Sequence, residues 1–123
     1  MTALAITGAS HVTRKAEDPT LGGNRIRGCV VQQYLGAVDP CTPLASSLYA
    51  DLAGLPPLLI QVGSTEVLLD DSRRMAERAH AAGVDATLEV WDELPHVFQF
   101  YPELPEAQQA LDRIGAFARK HLA

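Results

Sequence analysis

The fold is decided by a short apolar stretch in the middle of the chain, Pro56-Pro57-Leu58-Leu59-Ile60-Gln61-Val62-Gly63. Prolines precede the apolar residues and a glycine follows them, so both ends of the run carry residues that interrupt regular structure. A short and nearly continuous apolar run is typical of a strand that is buried on both faces, as in a parallel sheet.

The chain after this strand alternates between helix and strand patterns. A helix is predicted over about residues 71–82, with Asp70 or Asp71 as its cap and Gly83 as its end, and a second strand over residues 86–91. A last helix begins at Pro105. Its apolar stripe consists of Ala107, Ala110, Leu111, Ile114, Phe117 and Ala118. Strand, helix, strand, helix is a βαβα unit, which predicts an α/β fold with a parallel sheet and a right-handed crossover.

The first part of the chain, residues 1–55, is an irregular and helical lead-in to residues 56–123, and the whole is one domain. An amphipathic helix is predicted over residues 24–35, with Gly36 in the left-handed position beyond its end. A short turn of helix follows over residues 48–52.

Composition excludes several classes of protein. The 123 residues are 47% apolar with a formal net charge of −5, which suits one compact domain and argues against nucleic acid or an anionic membrane as partner. The sequence contains neither a membrane-spanning run nor a signal peptide. Cys29 and Cys41 are not in a CxxC motif, so we expect two reduced thiols in a cytoplasmic protein and no metal site.

Polar loops follow both predicted strands, over residues 63–71 and 92–98. Because neighbouring parallel strands end at the same edge of a sheet, Glu66 and His96 are expected to lie side by side although thirty residues separate them. A carboxylate that accepts a bond from one imidazole nitrogen supports general-base catalysis, and acid before histidine is the order found in α/β-hydrolases. Asp70 is the other candidate acid.

Several motifs along the chain belong together. They are Asp18-Pro19, Tyr34-Leu35-Gly36, Asp39-Pro40, Pro43-Leu44-Ala45-Ser46, Leu55-Pro56-Pro57-Leu58-Leu59-Ile60, Gly63-Ser64-Thr65-Glu66-Val67-Leu68-Leu69-Asp70-Asp71 and His96-Val97-Phe98. With them the chain resembles the C-terminal part of the hormone-sensitive-lipase-like esterases, the fold-3 group of α/β-hydrolases. It departs from that pattern at Glu66, where the family usually has Asp, and at Val97, where the family usually has Gly.

The resemblance implies a partial α/β-hydrolase domain from an enzyme that hydrolyses short-acyl esters or small lactones without a cofactor. Glu66 would be the catalytic acid and His96 the catalytic base. No Gly-x-Ser-x-Gly or His-Gly-Gly motif occurs in the chain, so the serine nucleophile and the oxyanion donors are absent. We therefore expect a fragment that is inactive by itself, and that self-associates or pairs with an N-terminal hydrolase segment. The alternative is a non-catalytic α/β module that binds a partner chain or a small acyl ligand.

Other notable side chains have simpler interpretations. His11, His80 and His121 are expected at the surface and Cys29 in the core. The aromatic residues after the histidine are expected to anchor its loop on the sheet rather than to line an acyl pocket. They are Phe98, Phe100 and Tyr101.

Overall fold

A computed structural model describes residues 33, 35–39, 41–66 and 68–122. Its elements are a 3-10 turn Ser47–Tyr49, strand β1 Leu58–Gly63, helix α1 Leu69–Ala81, strand β2 Ala86–Trp91, a second 3-10 turn Phe98–Phe100 and helix α2 Pro105–Leu122. The predicted βαβα order is confirmed. The helix predicted over residues 24–35 lies almost entirely outside the described residues, as do His11 and Cys29.

The two strands pair in parallel, as predicted. Their register runs from Leu58 beside Ala86 to Gly63 beside Trp91, so both strands end at the same level. The loops that follow Gly63 and Trp91 therefore leave the sheet at a common edge.

The helices cover opposite faces of this sheet. Ile60 lies in a buried cluster with Met75 and Ala79 of α1, whereas the amide of the next residue, Gln61, donates to the carbonyl of Ala110 on α2. Because successive strand residues point to opposite faces, α1 and α2 lie on opposite sides. Leu48 and Leu52 complete the cluster on the α1 side, where the short turn of helix predicted over residues 48–52 is a single 3-10 turn, Ser47–Tyr49.

Helix α1 begins earlier than predicted. It starts at Leu69, and the preceding Leu68 makes no capping hydrogen bond through its side chain, so the prediction that Asp70 or Asp71 caps the helix is wrong. Both carboxylates instead lie in the first turn, where the positive end of the helix dipole favours negative charge. Gly83 lies just beyond the helix, as predicted, and its φ of +77° is the left-handed conformation typical of a glycine that ends a helix.

Only the first half of the apolar stripe on α2 is buried. Ala107 and Ala110 are fully buried with Phe98, but Leu111 and Ile114 of the same stripe are exposed. The described sheet has only two strands, so it covers only part of an eighteen-residue helix. Neither helix in the described part of the chain is long and apolar enough to cross a membrane.

One aromatic residue anchors the loop after β2. Phe98 is 1% exposed and its ring lies 5.4 Å from that of Trp91, measured between centroids. Phe100 is 80% exposed and Tyr101 is also exposed, so the predicted anchoring holds for Phe98 and is wrong for the other two.

We predict that Phe98→Ala lowers the free energy of unfolding by about 3–5 kcal/mol, because it leaves a large cavity between β2 and α2. Phe100→Ala is the matched control and should change stability by less than about 0.5 kcal/mol, since that ring is in solvent. Urea denaturation of both variants measures the difference. Equal losses would contradict the assignment of Phe98 as the anchor.

The end of β1 touches the loop after β2 so closely that only glycine fits. A Cβ atom on Gly63 would overlap the carbonyl group of Leu94 and come within 3.1 Å of the carbonyl oxygen of Pro95. Backbone atoms cannot yield as the end of a flexible side chain can. The absent side chain at Gly63 is therefore what allows the two loops to approach.

We predict that Gly63→Ala destabilises the chain by about 1–3 kcal/mol through this overlap. Gly115→Ala is the matched control, because Gly115 lies inside α2 and a Cβ there would meet only the Arg119 side chain, at 3.4 Å. The free energy of unfolding of that variant should rise by up to about 1 kcal/mol, because alanine has a higher helix propensity than glycine. Thermal or urea unfolding of the two variants tests the close contact at Gly63. An unchanged stability of Gly63→Ala would refute it.

Candidate active site

Glu66 is held in place by a tight turn at the end of β1. Its backbone N–H donates to the carbonyl of Gly63 at 3.4 Å, and its Oε2 accepts the N–H of Gly63 at 3.2 Å. The carbonyl of Glu66 in turn accepts the N–H of Leu69, the first residue of α1. These bonds fold the carboxylate back toward the strand end instead of into solvent.

The structure brings Glu66 and His96 together. The Oε1 atom of Glu66 lies 3.4 Å from Nδ1 of His96, and the side chains are 7% and 17% exposed. This separation is at the long end for a hydrogen bond. The partial burial weakens the screening of the carboxylate by water, so its interaction with the ring is stronger than on an open surface.

The two loops that carry these residues are tied to each other by side chains of the acid turn. The Ser64 hydroxyl donates to Oδ1 of Asp92 at 3.1 Å and accepts the N–H of Glu93 at 2.8 Å. The Thr65 hydroxyl donates to the carbonyl of Leu94 at 2.9 Å. The distance between the acid and the histidine is therefore set by bonds between their loops as well as by the sheet.

Two residues of the histidine loop have left-handed backbone conformations. Glu93 has a φ of +53° and Val97, directly after His96, a φ of +52°. A β-branched residue is rare in this region because its Cβ crowds the backbone, and such strain persists only where surrounding contacts impose it. This conformation gives a physical reason why the family that the chain resembles usually has glycine at this position, since glycine adopts a positive φ without steric cost.

A polar network lies beneath the histidine loop on the α2 side of the sheet. Gln61 accepts a bond from Gln99 at 3.1 Å and donates to Oε2 of Glu89 at 3.0 Å. The other carboxylate oxygen of Glu89 lies 2.9 Å from Arg113, whose guanidinium group also stacks 5.2 Å from the centre of the Trp91 ring. This network joins both strands, α2 and the turn after His96.

The competing acid, Asp70, is occupied elsewhere. It is half-exposed in the first turn of α1, and its Oδ1 lies 3.5 Å from Arg73. The neighbouring Asp71 is fully buried and lies 3.9 Å from Arg74.

The remaining histidines differ from one another. His80 is exposed, as predicted, and its Nε2 lies 2.6 Å from the carbonyl of Ala86. His121 is partly buried with its ring 4.5 Å from that of Phe117, so its predicted surface position is wrong.

Sequence patterns did not reveal the residues that connect the loops. Ser64 and Thr65 belong to a polar turn whose most conspicuous residue is the acid, and Gln61 is one polar residue within an apolar strand. The positions of these residues are the signal that could identify them. Ser64 and Thr65 directly follow the glycine that ends a strand, and Gln61 is the single amide in an otherwise apolar run.

Comparison with known proteins identifies the group to which this chain is related. A family model described as alpha/beta hydrolase fold matches residues 1–100. The chain is 50% identical over 117 residues to an acetyl-hydrolase of Streptomyces hygroscopicus and 36% identical over 116 residues to an esterase of Acinetobacter venetianus. Each match covers 94% of this chain, but only 39% and 38% of those relatives.

A solved structure agrees with the sequence comparison. The chain superposes with a TM-score of 0.79 on an esterase from the bacterial hormone-sensitive lipase family, at 57% sequence identity. The superposition covers 86% of this chain and 36% of that structure. The chain is therefore a member of the α/β-hydrolase family, similar to its hormone-sensitive-lipase-like esterases, and it spans only part of their fold.

Proposed function

We propose that this chain supplies the acid and the base of a serine-type carboxylic-ester hydrolase. The observation that carries the proposal is the 3.4 Å approach of Glu66 to His96 at the end of two adjacent parallel strands. Glu66 would accept a hydrogen bond from the Nδ1–H group of the imidazole, which fixes the tautomer of the ring and stabilises the charge that the ring acquires. The nucleophile and the oxyanion donors would come from another segment, because the motifs for both are absent from these 123 residues.

The reaction would proceed by acyl transfer. As the serine oxygen bonds to the acyl carbon, Nε2 of His96 takes the hydroxyl proton and then donates it to the departing alkoxide, which leaves as the alcohol. Water next attacks the acyl-enzyme while His96 takes one of its protons, and return of that proton to the serine oxygen releases the acid. Each step requires a ring oriented through Nδ1, which is the role proposed for Glu66.

The substrates proposed for the complete enzyme are short-acyl esters or small lactones. Support comes from the relatives, which include the acetyl-hydrolase and the esterases described above. No step of this mechanism calls for a metal or an organic cofactor.

The segment that completes the enzyme would add a strand to the open edge of β1. This strand is buried on both faces, yet in the described part of the chain it pairs only with β2. An apolar strand with an open edge favours pairing with another chain. We propose an N-terminal hydrolase segment as the natural occupant, and self-association of the chain when that segment is absent.

Sedimentation of the chain alone should accordingly show dimers or larger species at micromolar concentration. Adding the N-terminal hydrolase segment should convert these oligomers into a 1:1 complex, because the segment and a second copy of the chain compete for the same edge of β1. A stable monomer that does not bind the segment would contradict the proposed pairing at the edge of β1.

Activity is best tested in a fusion. The chain alone should not hydrolyse p-nitrophenyl acetate. A fusion should hydrolyse it when the chain is joined to the C-terminal end of the part of the hormone-sensitive-lipase-family esterase that the chain does not cover. His96→Ala and Glu66→Gln in that fusion should each lower kcat by about 10³-fold or more, since general-base catalysis and its orientation are lost.

Asp70→Asn is the matched control for Glu66→Gln, and it should leave kcat within about twofold because its partner is Arg73. An inactive Asp70→Asn fusion with an active Glu66→Gln fusion would reassign the acid. A folded fusion that binds an acyl ligand and never hydrolyses it would favour the alternative, a non-catalytic binding module.

A further inference from the structure

The hydroxyl of Ser64 has two partners, and both belong to the turn that leads from β2 to His96. It donates to Oδ1 of Asp92 and accepts the N–H of Glu93, while the backbone N–H of Ser64 donates to the carbonyl of Trp91 at 2.7 Å. One residue of the acid turn therefore makes three bonds to three successive residues of the opposite loop.

This contact falls at a strained point. Glu93 has a φ of +53°, a conformation that residues with a Cβ rarely adopt, and its N–H group is directed to Ser64. The bond helps to hold a conformation that the backbone would otherwise leave. The turn at Glu93 sets the direction of the next three residues, the last of which is His96.

Ser64 is also fixed on the side of the acid. It is the second residue of the turn that Gly63 and Glu66 close with reciprocal bonds. A shift of Ser64 relative to Glu93 therefore changes the distance between Glu66 and His96. Its hydroxyl proton is directed to Asp92 rather than to an imidazole, so the geometry does not activate Ser64 as a nucleophile.

We infer that Ser64 is a positioning residue, which acts through the turn at Asp92 and Glu93 to hold His96 against Glu66. This inference rests on the proposed function, because it assigns Ser64 to the pair that carries that function. Ser64 lies within one of the motifs that carry the resemblance to esterases, but the resemblance assigns it no role.

The test measures the tautomer of the His96 ring in the full chain by ¹⁵N NMR at alkaline pH, where histidine rings are neutral. In the unaltered chain we expect the Nδ1–H form to predominate, because Glu66 accepts a hydrogen bond from that N–H group. Ser64→Ala should lower the ratio of Nδ1–H to Nε2–H forms about fivefold, the factor that corresponds to one net hydrogen bond. Ser64→Thr keeps the hydroxyl and should preserve the ratio.

Two further variants keep the inference testable. Ser72→Ala makes the same chemical change within α1, outside the turn that Gly63 and Glu66 close, and should leave the ratio unchanged. Asp92→Ala removes one partner of the hydroxyl and should lower the ratio in the same direction as Ser64→Ala, which decides the matter if Ser64→Ala does not fold.

The outcomes separate this inference from the proposed function. An unaltered chain without a preference for Nδ1–H would overturn the Glu66–His96 pair and the proposed function with it. A clear preference that survives both Ser64→Ala and Asp92→Ala would overturn only the positioning role of Ser64.

Discussion

The close approach of two backbones at the end of the sheet is the constraint on which the site depends. Parallel pairing places Gly63 beside Trp91, and the missing side chain at Gly63 admits the carbonyl groups of Leu94 and Pro95. The acid turn and the histidine loop are then near enough for direct hydrogen bonds between them. Without this approach, Glu66 and His96 would still leave the same edge of the sheet, but no contact would set their distance.

Strain and hydrogen bonding counterbalance each other in the histidine loop. Left-handed conformations at Glu93 and Val97 lie on either side of His96, and each carries a cost of order 1–3 kcal/mol. Burial of Phe98 and the bonds from Ser64 and Thr65 oppose that cost. A loop held from several directions keeps a side chain in one orientation, which is the pre-organisation that general-base catalysis requires.

The sequence predicted the elements and the pairing of the site residues because both follow from local patterns. An apolar run bounded by proline and glycine indicates a buried strand, and adjacency of parallel strand ends brings Glu66 to His96. The helix start at Leu69, the left-handed Val97 and the exposed Phe100 were not predictable in this way. These features depend on tertiary packing. The space between β2 and α2 holds the ring of Phe98 and not that of Phe100, and the backbone at Val97 follows from the contact of His96 with Glu66.

A double-mutant cycle on stability measures the interaction between Glu66 and His96, on which the proposed site depends. Free energies of unfolding are compared for the unaltered chain, Glu66→Ala, His96→Ala and the double variant. We expect a coupling energy of at least about 0.5 kcal/mol, since the effects of mutating two residues in contact are not additive. Strict additivity of the two single changes would contradict it.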